Sequence, residues 1–214
     1  MFWIIGDQAT MTKETEADLN RLGTNGHVSN NLARTVFDST LAQVQALLNP
    51  GVKAGEPIFV LAHADYEKGQ PWIGGLFFGD FTTAMASKFT VAGLSNRTLW
   101  LLVCHVGRDI LDFASKLSAL GVRNTTIYIP KDFMYISTKG IPHTLVNQKD
   151  VRAADKQVRK YGCEYMKITN SQETGVGWAG ATIDANGTVT ALGATVVEQA
   201  VQAQFDPDLE GEID

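Results

Sequence analysis

Cysteine is scarce in this chain of 214 residues, which has only Cys104 and Cys163. Two cysteines are too few for a disulfide scaffold, and their spacing does not match a zinc site. We therefore expect thiols in a reducing compartment and no metal site. Charged residues are also few, at 19% against 44% apolar residues, which favours a packed core and argues against disorder throughout the chain.

Long apolar runs and phosphate-binding loops are absent as well. No stretch approaches the roughly 18 apolar residues of a membrane span. The N-terminal MFWIIGDQ has no basic segment before a long apolar core, so we expect a soluble protein with neither a membrane span nor a Sec signal. The net charge of −5 argues against general nucleic-acid binding. No GxGxxG or GxxxxGK motif follows a strand, which argues against an ordinary nucleotide-binding α/β protein.

The sequence does contain an alternation of apolar strands and amphipathic helices. Helical spacing predicts helices that begin at the N-caps Asp80 and Asp109, whereas residues 8–34 and His63–Gly79 are predicted to be mainly loop. Short connections in the order strand, helix, strand predict a single α/β domain with a mostly parallel sheet flanked by helices. The predicted strands are Phe2–Gly6, Pro57–Ala62, Thr98–Cys104 and Thr125–Ile129.

The chain after about residue 145 has a different character. We expect a core over residues 1–145, then a basic helix and a β-hairpin over 146–205, then an acidic tail over 206–214. The hairpin is predicted at Ala181–Leu192, where Asn186-Gly187 between alternating runs favours a type I′ turn.

Two residues able to do chemistry follow neighbouring predicted strands. His63 comes directly after PIFVLA, and Cys104 ends TLWLLVC. Function in open parallel sheets collects at the carboxyl ends of strands, and adjacent strands lie about 4.8 Å apart. An imidazole at that distance can take the proton of a thiol, whose ordinary pKa is about 8.5, and so create a nucleophile. The alternative is a structural cysteine in the core, since Cys is among the most buried residue types.

The neighbours of this pair suggest supporting roles. The loop after His63 and the backbone N–H of Cys104 would supply donors to the developing oxyanion. Asp7 and Asp65 would orient His63 or line a pocket for a basic side chain, although a turn or helix-cap position is the simpler explanation of both. His105 falls on the opposite face of the strand from Cys104 and is not the expected base.

These segments resemble the caspase-like (clan CD) cysteine peptidases. The resemblance is closest to the cysteine protease domains of bacterial RTX-type toxins and looser to CHAT domains. It covers roughly residues 55–145 and implies a caspase-like fold and endopeptidase action on a protein or peptide substrate, with no cofactor needed for the chemistry. The matching segments are VLAHAD (Val60–Asp65), WIGGLFF (Trp72–Phe78), DFTTAMASKF (Asp80–Phe89), LWLLVCHVG (Leu99–Gly107) and YIPKDFMYISTKG (Tyr128–Gly140).

The resemblance also assigns roles to these residues. It implies that Cys104 is the nucleophile, that His63 is the base, and that Ala64, Gly74 and Gly75 belong to the oxyanion and substrate loop. Ala64 stands where the family has glycine. That departure keeps open a catalytically inert caspase-like domain that binds a protein partner, and an unrelated doubly wound α/β protein is the third alternative.

The resemblance further implies regulation by a polyanion. The toxin domains are activated by inositol hexakisphosphate in a basic pocket beside a β-flap, which suggests the hairpin as the flap and a bacterial protein. Such a protein would act in the cytoplasm, or be secreted or delivered into a host cytosol as an effector. A solvated basic face is the simpler alternative. The candidate polyanion-binding residues are Lys149, Arg152, Lys156, Arg159, Lys160 and Lys167.

Overall fold

Twelve strands and four α-helices make up the part of the chain that the computed structural model describes, residues 2–7, 32–37, 55–136, 142–145 and 177–205. The strands are β1 (Phe2–Asp7), β2 (Leu32–Phe37), β3 (Ile58–Ala62), β4 (Ala64–Glu67), β5 (Gln70–Ile73), β6 (Leu76–Phe77), β7 (Arg97–Leu102), β8 (Thr125–Pro130), β9 (Phe133–Ile136), β10 (Pro142–Leu145), β11 (Trp178–Ile183) and β12 (Val189–Ala191). The helices are α1 (Phe78–Phe89), α2 (Val91–Leu94), α3 (Ile110–Ala119) and α4 (Ala194–Phe205).

The central sheet has seven strands in the order β12-β11-β8-β7-β3-β1-β2. The five strands from β8 to β2 are parallel, and the C-terminal hairpin β11–β12 adds two antiparallel strands at one edge. The predicted α/β fold with a mostly parallel sheet flanked by helices is therefore confirmed. The predicted hairpin is confirmed as well, and it extends the central sheet.

Both faces of the sheet are covered, which explains why its central strands are apolar without alternation. Side chains at alternate positions of β3 enter two different cores. Ile58, Val60 and Ala62 join the first core, which contains the buried faces of α1 and α3. Phe59 and Leu61 join the second core, which contains the buried face of α4.

The region after β3 differs from the predicted loop. Strands β4, β5 and β6 form a separate three-stranded antiparallel sheet that leads directly into α1. These strands have only two to four residues, and their mixed burial gives no clear alternation in the sequence. Helix α1 consequently begins at Phe78 with Phe77 as its N-cap, so the predicted cap at Asp80 is wrong. Asp80 lies in the first turn, where a negative charge still favours the helix dipole.

Two other local predictions are also wrong. Strand β2 begins at Leu32, inside the predicted loop, and occupies the edge of the sheet beside β1, where a short strand with Arg34 and Thr35 gives a weak sequence signal. The hairpin turn is not type I′, because Gly187 has a positive φ of 87° and Asn186 does not. Instead, Gly187 N–H donates to the carbonyl of Asp184, as in a type I turn followed by a left-handed glycine.

Several predicted features lie outside the described residues. These are the basic helix with all six candidate polyanion-binding residues, Cys163 and the acidic tail. Within the described ranges, no helix has the length and apolarity needed to cross a membrane.

Gly107 provides a test of how tightly the loop after β7 packs on β8. A Cβ at this position would lie 2.4 Å from the carbonyl oxygen of Ile129 and 2.6 Å from that of Pro130. Because both neighbours are backbone atoms, Gly107→Ala is expected to lower the free energy of unfolding by about 2–3 kcal/mol. Urea denaturation measures the change.

Gly79→Ala is the matched control for this substitution. Gly79 lies in the first turn of α1 with open space around its missing Cβ. Alanine there should leave the free energy of unfolding unchanged or raise it by up to about 1 kcal/mol. Wild-type stability in Gly107→Ala would show that the loop does not pack on β8 in this way.

Candidate active site

The register of β3 and β7 brings His63 and Cys104 to the same edge of the sheet. The two strands are adjacent and parallel, and their last paired residues are Leu61 and Leu102. Continuing the register by two residues places His63 opposite Cys104. The expectation that these strands are neighbours is thus confirmed, although β7 ends two residues before the cysteine.

Both residues fall on the side of the sheet that carries the second core. His63 lies between Ala62 and Ala64, which both pack in the first core, so alternation directs position 63 to the other side. The Sγ atom of Cys104 lies 4.0 Å from the carbonyl oxygen of Met134, a residue that packs against the second core. Extended register and alternation therefore both predict that the imidazole and the thiol lie on the same side of this sheet edge.

Cys104 is a thiol, not half of a disulfide, and is partly exposed. Its predecessor Val103 is fully buried in the first core. His63 is also partly exposed. A thiol at a strand end that solvent can reach differs from the inert cysteine of an apolar core, so the position is compatible with chemistry.

The loop that follows His63 is built on a tight glycine turn. Gly74 and Gly75 have φ values of +57° and +82° and connect β5 to β6 through the pair Ile73 and Leu76. A two-residue hairpin with both central φ values positive is a type I′ turn, for which glycine carries no steric cost. The Gly74 N–H donates to the carbonyl of His63 at 2.8 Å, so this amide holds the loop closed.

The other proposed oxyanion donors occupy different settings. Ala64 is buried and pairs with Ile73 in the small sheet, and Gly75 is exposed at the tip of the turn. Their role toward an oxyanion stays a prediction. The side chain of Ala64 packs in the first core.

His105 lies on the opposite side of the loop from the thiol, as the sequence predicts. Its ring is 5.6 Å from that of Tyr66, which packs against the first core, and 4.6 Å from that of Phe133. Its Nε2 lies 3.3 Å from Oδ1 of Asp65. Burial lowers the pKa of His105 below its usual value, partly offset by the attraction of Asp65. The lowered pKa favours the neutral imidazole, which stays next to the Asp65 carboxylate.

A second contact joins the same two segments. The hydroxyl of Tyr66 donates to Oδ2 of Asp109 at 2.5 Å and lies 3.5 Å from the carbonyl oxygen of His105. Burial is the main cause that raises the pKa of Tyr66 far above its usual value, and the hydrogen bond to Asp109 is the second. Asp109 precedes α3 as predicted, but its side chain caps no N–H of that helix. Asp109 is the N-cap residue of α3 by position, and its carboxylate accepts the hydroxyl of Tyr66 instead of a helix N–H.

The two predicted orienting acids are placed differently. Asp7 ends β1, the strand beside β3, and the register of Ile5 with Ala62 continues to place it next to Ala64 at the same sheet edge. Asp65 contacts His105 and accepts the N–H of Tyr66 at 2.7 Å. Their proposed roles toward His63 or a substrate stay predictions.

Sequence reasoning missed Tyr66, Asp109 and the Asp65–His105 contact. The available signal was the position of each partner, since Tyr66 follows His63 by three residues and Asp109 follows Cys104 by five. Side-chain contacts between two irregular segments leave no periodic pattern in the sequence. In the part of the chain that is described, no cluster of three or more His, Cys, Asp or Glu side chains is arranged to hold a metal ion.

The lowered pKa of His105 makes stability depend on pH. The unfolded chain, in which a histidine titrates near about 6.5, binds this proton at a higher pH than the folded protein does. Stability is therefore lost as the pH falls below that value, and His105→Gln should remove this part of the loss. Urea denaturation at pH 7.5 and 5.5 measures it. An equal loss in wild type and variant would contradict the burial of a neutral imidazole.

Comparison with known proteins adds no family to these observations. No family model matches the chain, and no curated protein gives a significant match. The chemistry of the site is therefore argued from the geometry of Cys104, His63 and the residues around them.

Proposed function

We propose that this protein is a cysteine peptidase of the caspase-like type, in which Cys104 is the nucleophile and His63 is the base. The observation that carries the proposal is the parallel pairing of β3 with β7, whose last pair is Leu61 with Leu102. Extended by two residues beyond that pair, the same register would set His63 opposite Cys104. Three further observations support it: both residues are partly exposed, both positions fall on one side of the sheet, and both follow strand ends, where parallel sheets place their active sites.

The proposed reaction follows from the ordinary chemistry of a thiol beside an imidazole. His63 takes the proton of Cys104, and the thiolate attacks the carbonyl carbon of a peptide bond. The tetrahedral intermediate collapses to a thioester as the imidazolium of His63 gives its proton to the leaving amine. Water, deprotonated by His63, then hydrolyses the thioester, releasing the carboxylate product and restoring the thiol. The cycle consumes one water molecule and needs no cofactor.

The tetrahedral intermediate needs hydrogen-bond donors for its oxyanion. The N–H groups of Cys104, Ala64 and Gly75 are the proposed donors, since the Gly74 amide is already bonded to the carbonyl of His63. The substrate is a protein or peptide, and Asp7 and Asp65 at the same edge would favour a basic side chain in it.

Activation by inositol hexakisphosphate and a role as a bacterial effector belong to the same proposal. They rest on the resemblance to the toxin protease domains and on the basic residues between Lys149 and Lys167. Those residues lie outside the described part of the chain, so no step of the mechanism is assigned to the polyanion.

An inert binding module of the same fold is the second candidate. The observation that favours it is Ala64, whose side chain is buried in the first core at the position of the family's glycine. The reactivity of Cys104 separates the two, because an inert module has no reason to keep a thiol activated by His63.

Alkylation by iodoacetamide tests the pair directly. At pH 6 an ordinary thiol, with a pKa of about 8.5, is almost entirely protonated and reacts slowly. Cys104 should react faster than Cys163, because His63 raises the thiolate fraction of Cys104. His63→Ala should therefore slow the alkylation of Cys104. The expected loss is only about tenfold, because a thiolate of lower pKa is also a weaker nucleophile. Peptide mass spectrometry reports each site separately.

His143→Ala is the control for the loss of a histidine elsewhere, and Cys104→Ala identifies the signal from Cys163. The His143→Ala variant should alkylate Cys104 at the same rate as wild type does. If Cys163 reacts first, or if His63→Ala leaves the Cys104 rate unchanged, the assigned nucleophile and base are wrong.

A further inference from the structure

We propose that Tyr66 and Asp109 are positioning residues that hold the loop of Cys104 against the loop of His63. The inference rests on the proposed function and adds to it a device that neither the sequence motifs nor the resemblance contains. The hydroxyl–carboxylate contact between Tyr66 and Asp109 is called the brace below.

The brace is needed because the sheet itself does not fix the two reactive residues. Paired residues of β3 and β7 end at Leu61 and Leu102, so His63 and Cys104 both lie beyond the last paired position. Cys104 lies in a bend, and His105 after it has a positive φ of 34°. A displacement of about 1 Å between reacting groups costs on the order of a hundredfold in rate, so contacts beyond the strand ends have a large effect.

The brace connects the segments that carry these residues. Strand β4 begins at Ala64, directly after His63, and presents Tyr66 as its third residue. Asp109 ends a single 3₁₀ turn at Gly107–Asp109, just after Cys104. The bond between them therefore spans the gap that the strand pairing leaves open, and its effect reaches Cys104 through five residues of chain.

The brace is also a strong contact of its kind. It joins a hydroxyl to a carboxylate at 2.5 Å in a partly buried setting, and charge-assisted hydrogen bonds are about twice as strong as neutral ones. The raised pKa of Tyr66 keeps its hydroxyl protonated, and so a donor, at neutral pH. The contact of Asp65 with His105 runs parallel to it between the same two segments.

The far side of the Cys104 loop is anchored separately. His105 N–H donates to the carbonyl of Asp132 at 3.0 Å, and Gly107 packs on the backbone of Ile129 and Pro130. Because these contacts fix the loop to β8 and the segment after it, the loop would fold without the brace. What the brace adds is the position of the loop relative to β4, and hence to His63.

The test uses the pH profile of Cys104 alkylation in a Cys163→Ser background, together with the melting temperature. Tyr66→Phe removes the donor and Asp109→Ala the acceptor, whereas Asp109→Asn keeps an acceptor oxygen. The first two should move the midpoint of the profile up by about 0.5–1 pH unit and slow the reaction at pH 6 by about three- to tenfold. The double variant should be no worse than either single one, since the two groups act as a unit. Asp109→Asn should restore most of the rate.

Tyr128→Phe is the matched control, because Tyr128 is a buried tyrosine of β8 that pairs with Trp100, four residues before Cys104. It should leave the midpoint unchanged. A merely structural role for the brace would lower the melting temperature of Tyr66→Phe and Asp109→Ala without moving their midpoints, and would overturn the proposal.

His63→Ala, measured in parallel, separates this proposal from the proposed function. If His63→Ala raises the midpoint and neither Tyr66→Phe nor Asp109→Ala does, the brace is not a positioning device and the peptidase proposal stands. If His63→Ala leaves the midpoint unchanged, both proposals fall. Matching shifts in His63→Ala and in the brace variants support both.

Discussion

The register between β3 and β7 determines how the two cores pack and where the proposed site lies. The two strands are parallel, adjacent and apolar on both faces, so burial in two cores fixes which residues pair. A slip of one residue would exchange the side chains of the two cores, which is why a doubly buried strand tolerates so little change in register. The same register that packs the cores brings His63 and Cys104 to neighbouring positions at the sheet edge.

Contacts beyond the strand ends convert this neighbourhood into a defined site. Tyr66 and Asp109 connect the segments after β3 and β7, the Gly74 amide closes the loop of His63, and the Asp132 carbonyl anchors the loop after Cys104. His105 belongs to this supporting structure and lies on the far side of the loop from the thiol. The two histidines are therefore assigned different roles, His63 in the proposed chemistry and His105 in the structure of the loop.

The parts of the fold that the sequence predicts are those with a repeating physical cause. The apolar runs at β3 and β7, and the apolar face of α1 with Phe81 and Met85, follow from burial and give strong patterns. The small sheet after His63 was missed because its strands of two to four residues have mixed burial and lack such a pattern. The edge strand β2 was missed because its six residues include Arg34 and Thr35 and give a weak apolar signal. Asp109 is the N-cap residue as predicted, but its contact with Tyr66 was missed, since a carboxylate before a helix has the same sequence signature whether it caps or accepts from a distant tyrosine.

The proposed site requires that His63 and Cys104 are neighbours, and disulfide trapping measures this without any substrate. In a His63→Cys, Cys163→Ser variant, positions 63 and 104 on adjacent strands should have Cα atoms within the range of about 4.4–6.8 Å that a disulfide needs. Mild oxidation should therefore link their peptides rapidly in the mass spectrum of the unreduced protein. The control is a Gly79→Cys, Cys163→Ser variant that keeps His63. Its new cysteine lies at an exposed position of α1 and should not link to Cys104. If residue 63 links to residue 104 no faster than this control does, the two side chains do not meet and the account of the site is wrong.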